Sequence, residues 1–226
     1  YSKFPKVDQY LNEKTLERMR DSILVNIDYS KPTERHYLYL FADFDKEAYR
    51  KLMRDRWNIY ENKPIENISE LCYLLRKTVN ADPSRCQQAI DISNKHPKLI
   101  IFYNFDYELE LLRNNDWPEG TAVAEWNGHR HQEIPEKDRW VYLVQYTAGA
   151  EGWNCIKTNA ILFYSQSYSY KTTEQAKGRI DRRNTPFHDL YYYSFKTYAP
   201  IDIAISRALK RKRNFNESAF FQSRNS

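Results

Sequence analysis

Two stretches of the chain hold residue types at spacings that could do chemistry. Gln145-Tyr-Thr-Ala-Gly-Ala-Glu-Gly-Trp-Asn154 reads as the end of a buried strand opening into a glycine-bent loop, and Gln175-Ala-Lys-Gly-Arg-Ile-Asp-Arg182 follows as a helix with one polar, cationic face. On a helix around residues 172–183, positions i, i+4 and i+7 nearly coincide, so Gln175, Arg179 and Arg182 share one side. Two guanidiniums and an amide facing one way suit a polyphosphate. An arginine that reaches a transferring phosphoryl group neutralises charge in the transition state, and such a finger is worth on the order of 10³–10⁵ in rate. The plainer alternative is a solvated face in which Arg179, Arg182 and Arg183 pair with Asp181 or Glu174, which is what charge runs usually are. Glycine usage weighs for the chemical reading. All five glycines, Gly120, Gly128, Gly149, Gly152 and Gly178, fall between residues 120 and 178, and glycine serves where the backbone takes a positive φ or a ligand comes close.

Other phosphate chemistry is excluded by spacing. No two glycines stand five apart or two apart, so neither a Gly-x4-Gly-Lys phosphate loop nor a Gly-x-Gly-x-x-Gly turn is present. No Asp-Glu dipeptide occurs, which removes the acidic magnesium box of many ATPases. The cationic and amide groups are therefore of a kind that completes a site built by another domain.

The elements that must position these groups follow from periodicity. Residues 1–96 lack glycine and read as mainly helical: Val7 to Ile23, a helix opening at Asp43, Ile68 to Val79 with Leu71, Leu74, Leu75 and Val79 as its buried stripe, and a helix capped by Asp82 with Pro83 at its first position. His36 to Phe41 interrupts them with strand composition. From residue 97 strands and helices alternate: Lys98 to Tyr103, Ala122 to Trp126, Trp140 to Tyr146, Ala160 to Tyr164 and Leu190 to Phe195, with helices at Asp106 to Asn115 and around 172–183. That alternation predicts a three-layer α/β fold with a mostly parallel sheet, whose ligands sit at the carboxyl ends of strands. Residues 201–226 form a basic tail, with Arg207, Lys210, Arg211, Lys212 and Arg213 on a terminal helix.

With 226 residues the chain can bury a real core, and a net charge of +5 leans toward a polyanionic partner. Cys72, Cys86 and Cys155 form no Cys-x-x-Cys pair and have no histidine at ligand spacing, so reduced thiols and no metal site are expected. The longest apolar runs are too short to span a bilayer, and no membrane partner is expected. Opening mid-pattern at Tyr1, the chain reads as a piece of something larger.

Leu99-Ile-Ile-Phe-Tyr-Asn-Phe105, the strand leading to Trp126-Asn-Gly128, the Gln145–Asn154 loop and Gln175–Arg182 together resemble, in order and spacing, motifs IV, V and VI of superfamily-two helicases, closest to the Swi/Snf-like branch. Leu71 to Asn80 resembles the helix that precedes motif IV there, and Gly178-Arg-Ile-Asp-Arg-Arg-Asn-Thr-Pro186 with Asp189 to Tyr193 resembles phage and prophage members. The resemblance implies the second, C-terminal RecA-like domain (97–200) of an ATP-dependent DNA helicase or translocase in a bacterial or phage-infected cytoplasm. Residues 1–96 would link it to an N-terminal RecA-like domain, which would hold most of the ATP and Mg2+. By position, Arg179 and Arg182 would approach the ATP phosphates, with Gln175, Glu151, Gly152 and Asn154 lining the same cleft. Asn104, Gly128, Arg130, Thr147 and Gly149 would touch nucleic acid. Arg183-Asn184 replaces the Gly-Gln that often continues motif VI, and Trp153 stands where leucine is common. The competing class is a non-enzymatic nucleic-acid-binding or regulatory module with the same fold.

Overall fold

The computed structural model describes Lys14, Thr15, Arg18 and residues 33–148 and 154–223. Lys14, Thr15 and Arg18 are helical, and the rest of the helix expected from Val7 to Ile23 lies outside the described residues. One compact unit runs from Glu34 to Ser226. Its elements are β1 (Glu34–Phe41), α1 (Lys46–Asp55), β2 (Trp57–Asn58), β3 (Lys63–Pro64), α2 (Ile68–Asn80), α3 (Pro83–Lys95), β4 (Lys98–Tyr103), α4 (Asp106–Arg113), β5 (Ala122–Trp126), β6 (Trp140–Gln145), β7 (Ala160–Phe163), α5 (Tyr170–Lys177), β8 (Asp189–Lys196), α6 (Pro200–Lys210) and α7 (Glu217–Gln222).

Six strands form one sheet in the order β1-β8-β7-β4-β6-β5, and every pairing in it is parallel. The central strands are continuous apolar runs because both faces are covered. Leu99, Ile101 and Tyr103 of β4 pack with Ala89 and Ile92 of α3 and Leu109 and Leu112 of α4. Ile100 and Phe102 face the other way, onto Tyr146, Ala176 and Ile180. The α/β, RecA-like expectation is met.

The change of rhythm at residue 97 is one of sequence character, not of packing. The strand read at His36 to Phe41 is not an isolated interruption in a helical segment: it lies along β8 over eight paired positions, Glu34 opposite Asp189 through Phe41 opposite Lys196. Residues 34–96 and 201–223 also meet each other, since Leu52 of α1, Leu75 and Val79 of α2, Ile205 of α6 and Phe220 of α7 form a third apolar cluster. The basic run after α6 is not helical either: Arg211 caps the helix and Lys212 turns the chain at φ 57°.

The helix expected around 172–183 stops at Lys177. Gly178, a poor helix former, stands at its end, and the Arg179 carbonyl accepts from the Cys155 N–H at 2.9 Å instead of from the next helical turn. Ile180, fully buried, then pins the turn to the sheet.

Arg85 joins the helical cluster to the sheet. Its buried guanidinium donates from Nη1 to the Tyr164 carbonyl at 2.6 Å and from Nη2 to Asp202 Oδ2 at 3.2 Å, and Thr197 Oγ1 also donates to that carboxylate at 2.9 Å. Breaking a buried, hydrogen-bonded ion pair from one side leaves the other charge stranded. Arg85→Ala is expected to cost about 3–5 kcal/mol in urea unfolding, and Arg85→Met with Asp202→Leu to recover part of the loss. A single-variant loss below about 1 kcal/mol would mean the pair is hydrated rather than buried.

Candidate functional site

The residues expected to act together fall into two groups. One lies along the carboxyl edge of the sheet. Asn104 follows β4, and its side-chain amide is committed internally: Nδ2 donates to Ser165 Oγ at 2.7 Å and to the Gln166 carbonyl at 3.1 Å, fastening the loop after β4 to the loop after β7. Beneath it sits Glu108, fully buried on α4. Its Oε2 accepts from the Asn104 N–H and from Ser165 Oγ, both at 2.8 Å, and its Oε1 accepts from Asn80 Nδ2 at 2.8 Å. Tyr146, the first residue after β6, donates to the Ser165 carbonyl at 3.0 Å, and burial with the Glu108 charge nearby raises its phenol well above the usual range. Asn104 is thus a strut of the edge more than a surface ligand.

The tip of β5 is built by an asparagine turn. Asn127 Oδ1 accepts from the N–H groups of His129 and Arg130, both at 2.9 Å, while Nδ2 donates to the buried Glu125 carboxylate at 3.0 Å. Arg130 and Arg113 bind the same carboxylate, Arg130 through Nη1 at 2.9 Å. Gly128 is exposed, takes no positive φ and has open space where a Cβ would stand, so neither strain nor crowding demands glycine there. Trp126 Nε1 donates to the Ala148 carbonyl at 3.3 Å, which holds the start of the next loop and leaves Thr147 exposed.

The second group lies against the sheet face that α5 covers. Cys155 is buried there, its backbone tied to Arg179, and Asn154 is exposed beside it. Because α5 ends early, Gln175, Arg179 and Arg182 do not share a helix face. Gln175 is exposed on α5, whereas both arginines lie in the turn that follows. Burial first, and the Arg182 charge second, push the Arg179 guanidinium below its ordinary range. Among the described residues near this turn, Asp181 takes Arg35 at 2.6 and 3.0 Å, and Glu174 takes Lys177 at 2.7 Å. Arg182 Nε is buried with no hydrogen-bond partner among the described residues. Gly149, Glu151 and Gly152 lie outside the described residues.

Sequence reasoning missed Glu108 and Arg76. Arg76 is buried on α2, donates to the Gln166 carbonyl, and stacks between the rings of Phe105 and Tyr168, each centroid 4.7 Å away. A charge inside an apolar stripe was the available signal. Asn104→Ala is expected to cost about 1–3 kcal/mol in denaturant unfolding because it strands polar atoms of the β7 loop. Thr147→Ala, exposed in its turn, should stay within about 0.5 kcal/mol of the parent.

No protein-family model matches the chain and no curated protein matches it. Solved structures match its fold. The C-terminal part of the Fun30 ATPase domain superposes with a TM-score of 0.60 at 11% identity, over 86% of this chain and 99% of that one. The SWI2/SNF2 ATPase core domain of Sulfolobus solfataricus gives 0.60 at 11% identity, over 92% of this chain and 53% of that one. The same core in complex with dsDNA gives 0.56 at 13% identity, over 83% of this chain and 45% of that one. The chain spans about half the length of those two ATPase cores. What it shares with them is the fold.

Proposed function

We propose that the chain is the C-terminal motor domain of an ATP-dependent DNA helicase or translocase. The observation that carries this reading is the turn bearing Arg179 and Arg182, held against the loop after β6 by the Cys155–Arg179 backbone bond, in which Arg182 Nε is buried with no hydrogen-bond partner among the described residues. It occurs on a fold shared with the Fun30 and SWI2/SNF2 ATPase structures, and one SWI2/SNF2 structure holds dsDNA.

On this reading ATP and Mg2+ are held mainly by an N-terminal RecA-like domain. The fit of this chain to ATP rests on its arginines: a polyphosphate would give the buried Arg182 Nε the acceptor it lacks among the described residues. When bound, ATP and its metal supply the phosphoryl group and the charge that spreads as the γ-phosphate leaves. Arg179 and Arg182 stabilise that charge, while Gln175 and Asn154 line the cleft with Glu151 and Gly152. Thr147, Gly128 and Arg130 face the phosphates of the nucleic acid with Gly149, and Asn104 sets the height of their edge. Phosphate contacts of this kind are blind to sequence and fall off steeply with salt. A bacterial or phage-infected cytoplasm would keep Cys72, Cys86 and Cys155 as the free thiols they are.

In the protein that joins this chain to a phosphate-loop domain, Arg182→Ala is expected to lower nucleic-acid-stimulated ATP turnover by two to three orders of magnitude. Arg179→Lys, which keeps the charge of a buried residue but loses the planar fork, should fall in the same direction. Lys171→Ala, exposed on α5, serves as the control and should match the parent in a steady-state phosphate-release assay. Parental turnover by the Arg182 variant, or robust turnover by the 226-residue chain alone, would overturn the assignment.

A further inference from the structure

Among the described residues, the face of the sheet that α5 covers is left open over β1. Side chains alternate along a strand, so Tyr37, Tyr39 and Phe41 point to the same face, and they remain 50%, 52% and 62% exposed. Tyr198, past the end of β8, is 75% exposed and stacks on Phe41 with centroids 5.7 Å apart. Tyr37 stacks on the buried Tyr192 at 5.3 Å, which fixes its ring. Large aromatics this exposed on a strand are out of place unless something covers them.

These rings line a groove that is also cationic. A cavity of about 180 Å³ between α5, β8 and α6 continues into one of about 360 Å³ toward Phe41 and Tyr198, and the two share Gln166, Lys196, Ser206 and Lys210. Lys196 Nζ lies 3.3 Å from the centroid of the Tyr39 ring. Desolvation and the nearby Lys210 hold the Lys196 ammonium below its ordinary range. Arg207 joins them in the wider cavity. Among the described residues none of these three cations has a carboxylate partner: Glu174 belongs to Lys177 and Asp202 to Arg85.

We propose that this groove is a binding site for single-stranded nucleic acid, with bases against Tyr37, Tyr39, Phe41 and Tyr198 and phosphates against Lys196, Lys210 and Arg207. Residues two apart on a strand are about 6.6 Å apart, close to twice the roughly 3.4 Å per-strand rise of a duplex, so an unstacked, extended strand matches the spacing of the rings. Aromatic faces accept any base, and the cations track the backbone. The groove reaches the carboxyl edge at Gln166, whose carbonyl binds Asn104 and Arg76, so a strand could pass from that edge onto the sheet face. The inference rests on the nucleic-acid reading above and adds to it a place for one separated strand.

Fluorescence anisotropy of this chain with fluorescein-labelled oligothymidylate, and with a duplex of equal length, tests it across a salt series. Lys196→Ala with Lys210→Ala is expected to weaken oligothymidylate binding at least about tenfold and to lower the slope of log affinity against log salt by about 1.4, since each phosphate on a single strand contributes about 0.7. Tyr39→Ala should weaken the same binding about fivefold or more, and Tyr39→Phe should restore it, because stacking needs the ring and not the hydroxyl. Duplex affinity should change less than about twofold in all three. Unchanged oligothymidylate affinity in these variants, an equal loss on duplex, or displacement by polyglutamate as readily as by oligothymidylate would each overturn the site. If the parent chain binds duplex but not oligothymidylate, the groove alone fails; if it binds neither, the nucleic-acid reading fails with it.

Discussion

A carboxylate with no access to water holds the carboxyl edge of this sheet together. Stripping water from a charge costs several kcal/mol, and the cost is offset only when the surroundings supply enough donors. Glu108 is supplied by the Asn104 N–H, Ser165 Oγ, Asn80 Nδ2 and, at 3.3 Å, the Tyr107 hydroxyl. Those donors come from the loop after β4, the loop after β7, the end of α2 and α4 itself. A parallel sheet gives its carboxyl edge no backbone partners of its own, so the loops there would otherwise have to find water. One buried acid ties the loops after β4 and β7 to the end of α2.

The cationic turn is governed by a competition at one carbonyl. If α5 ran on, the Arg179 carbonyl would accept from the fourth residue ahead, and Gln175, Arg179 and Arg182 would line up. The Cys155 N–H takes that carbonyl instead, and the chain leaves the helix while Ile180 stays in the core. The arginines are thereby set by tertiary contact, not by helical phase, and are backed by the sheet.

How legible all this is in the sequence varies with the range of the interaction. The strands β4, β6 and β7 are uninterrupted apolar runs and can be read directly, as can the Asp82 cap of α3, whose side chain accepts from the Ser84 N–H at 2.9 Å. The buried stripe of α2 is equally plain. The partner of β1 is not, since its pairing crosses about 150 residues and nothing local in His36 to Phe41 names β8. The helix end at Lys177 was missed for the same reason: the competing donor sits on another loop. Glu108 and Arg76 were hidden because a charge on an amphipathic helix is ordinarily solvent-facing, and only the converging loops reveal that these are inside.

The two faces of the sheet are covered unequally, and this asymmetry follows from the chain path. Helices α3 and α4 lie over one face, where His36 stacks on Tyr191 and His96 is bound to the Tyr193 hydroxyl at 2.8 Å. On the other face α5 has only eight residues, and it sits where Ala176 meets β4 and β7. Among the described residues, adding β1 beyond β8 widens the sheet by one strand without adding a helix to that side. Apolar residues of ordinary size would make the extra width an aggregation surface. At two of the three β1 positions on this face the chain places tyrosines, which tolerate water at the hydroxyl, and sets lysines over their rings: Lys177 at 5.2 Å from Tyr37 and Lys196 at 3.3 Å from Tyr39. The same choice that keeps a bare sheet face soluble gives it aromatic planes and positive charge at the repeat of a strand.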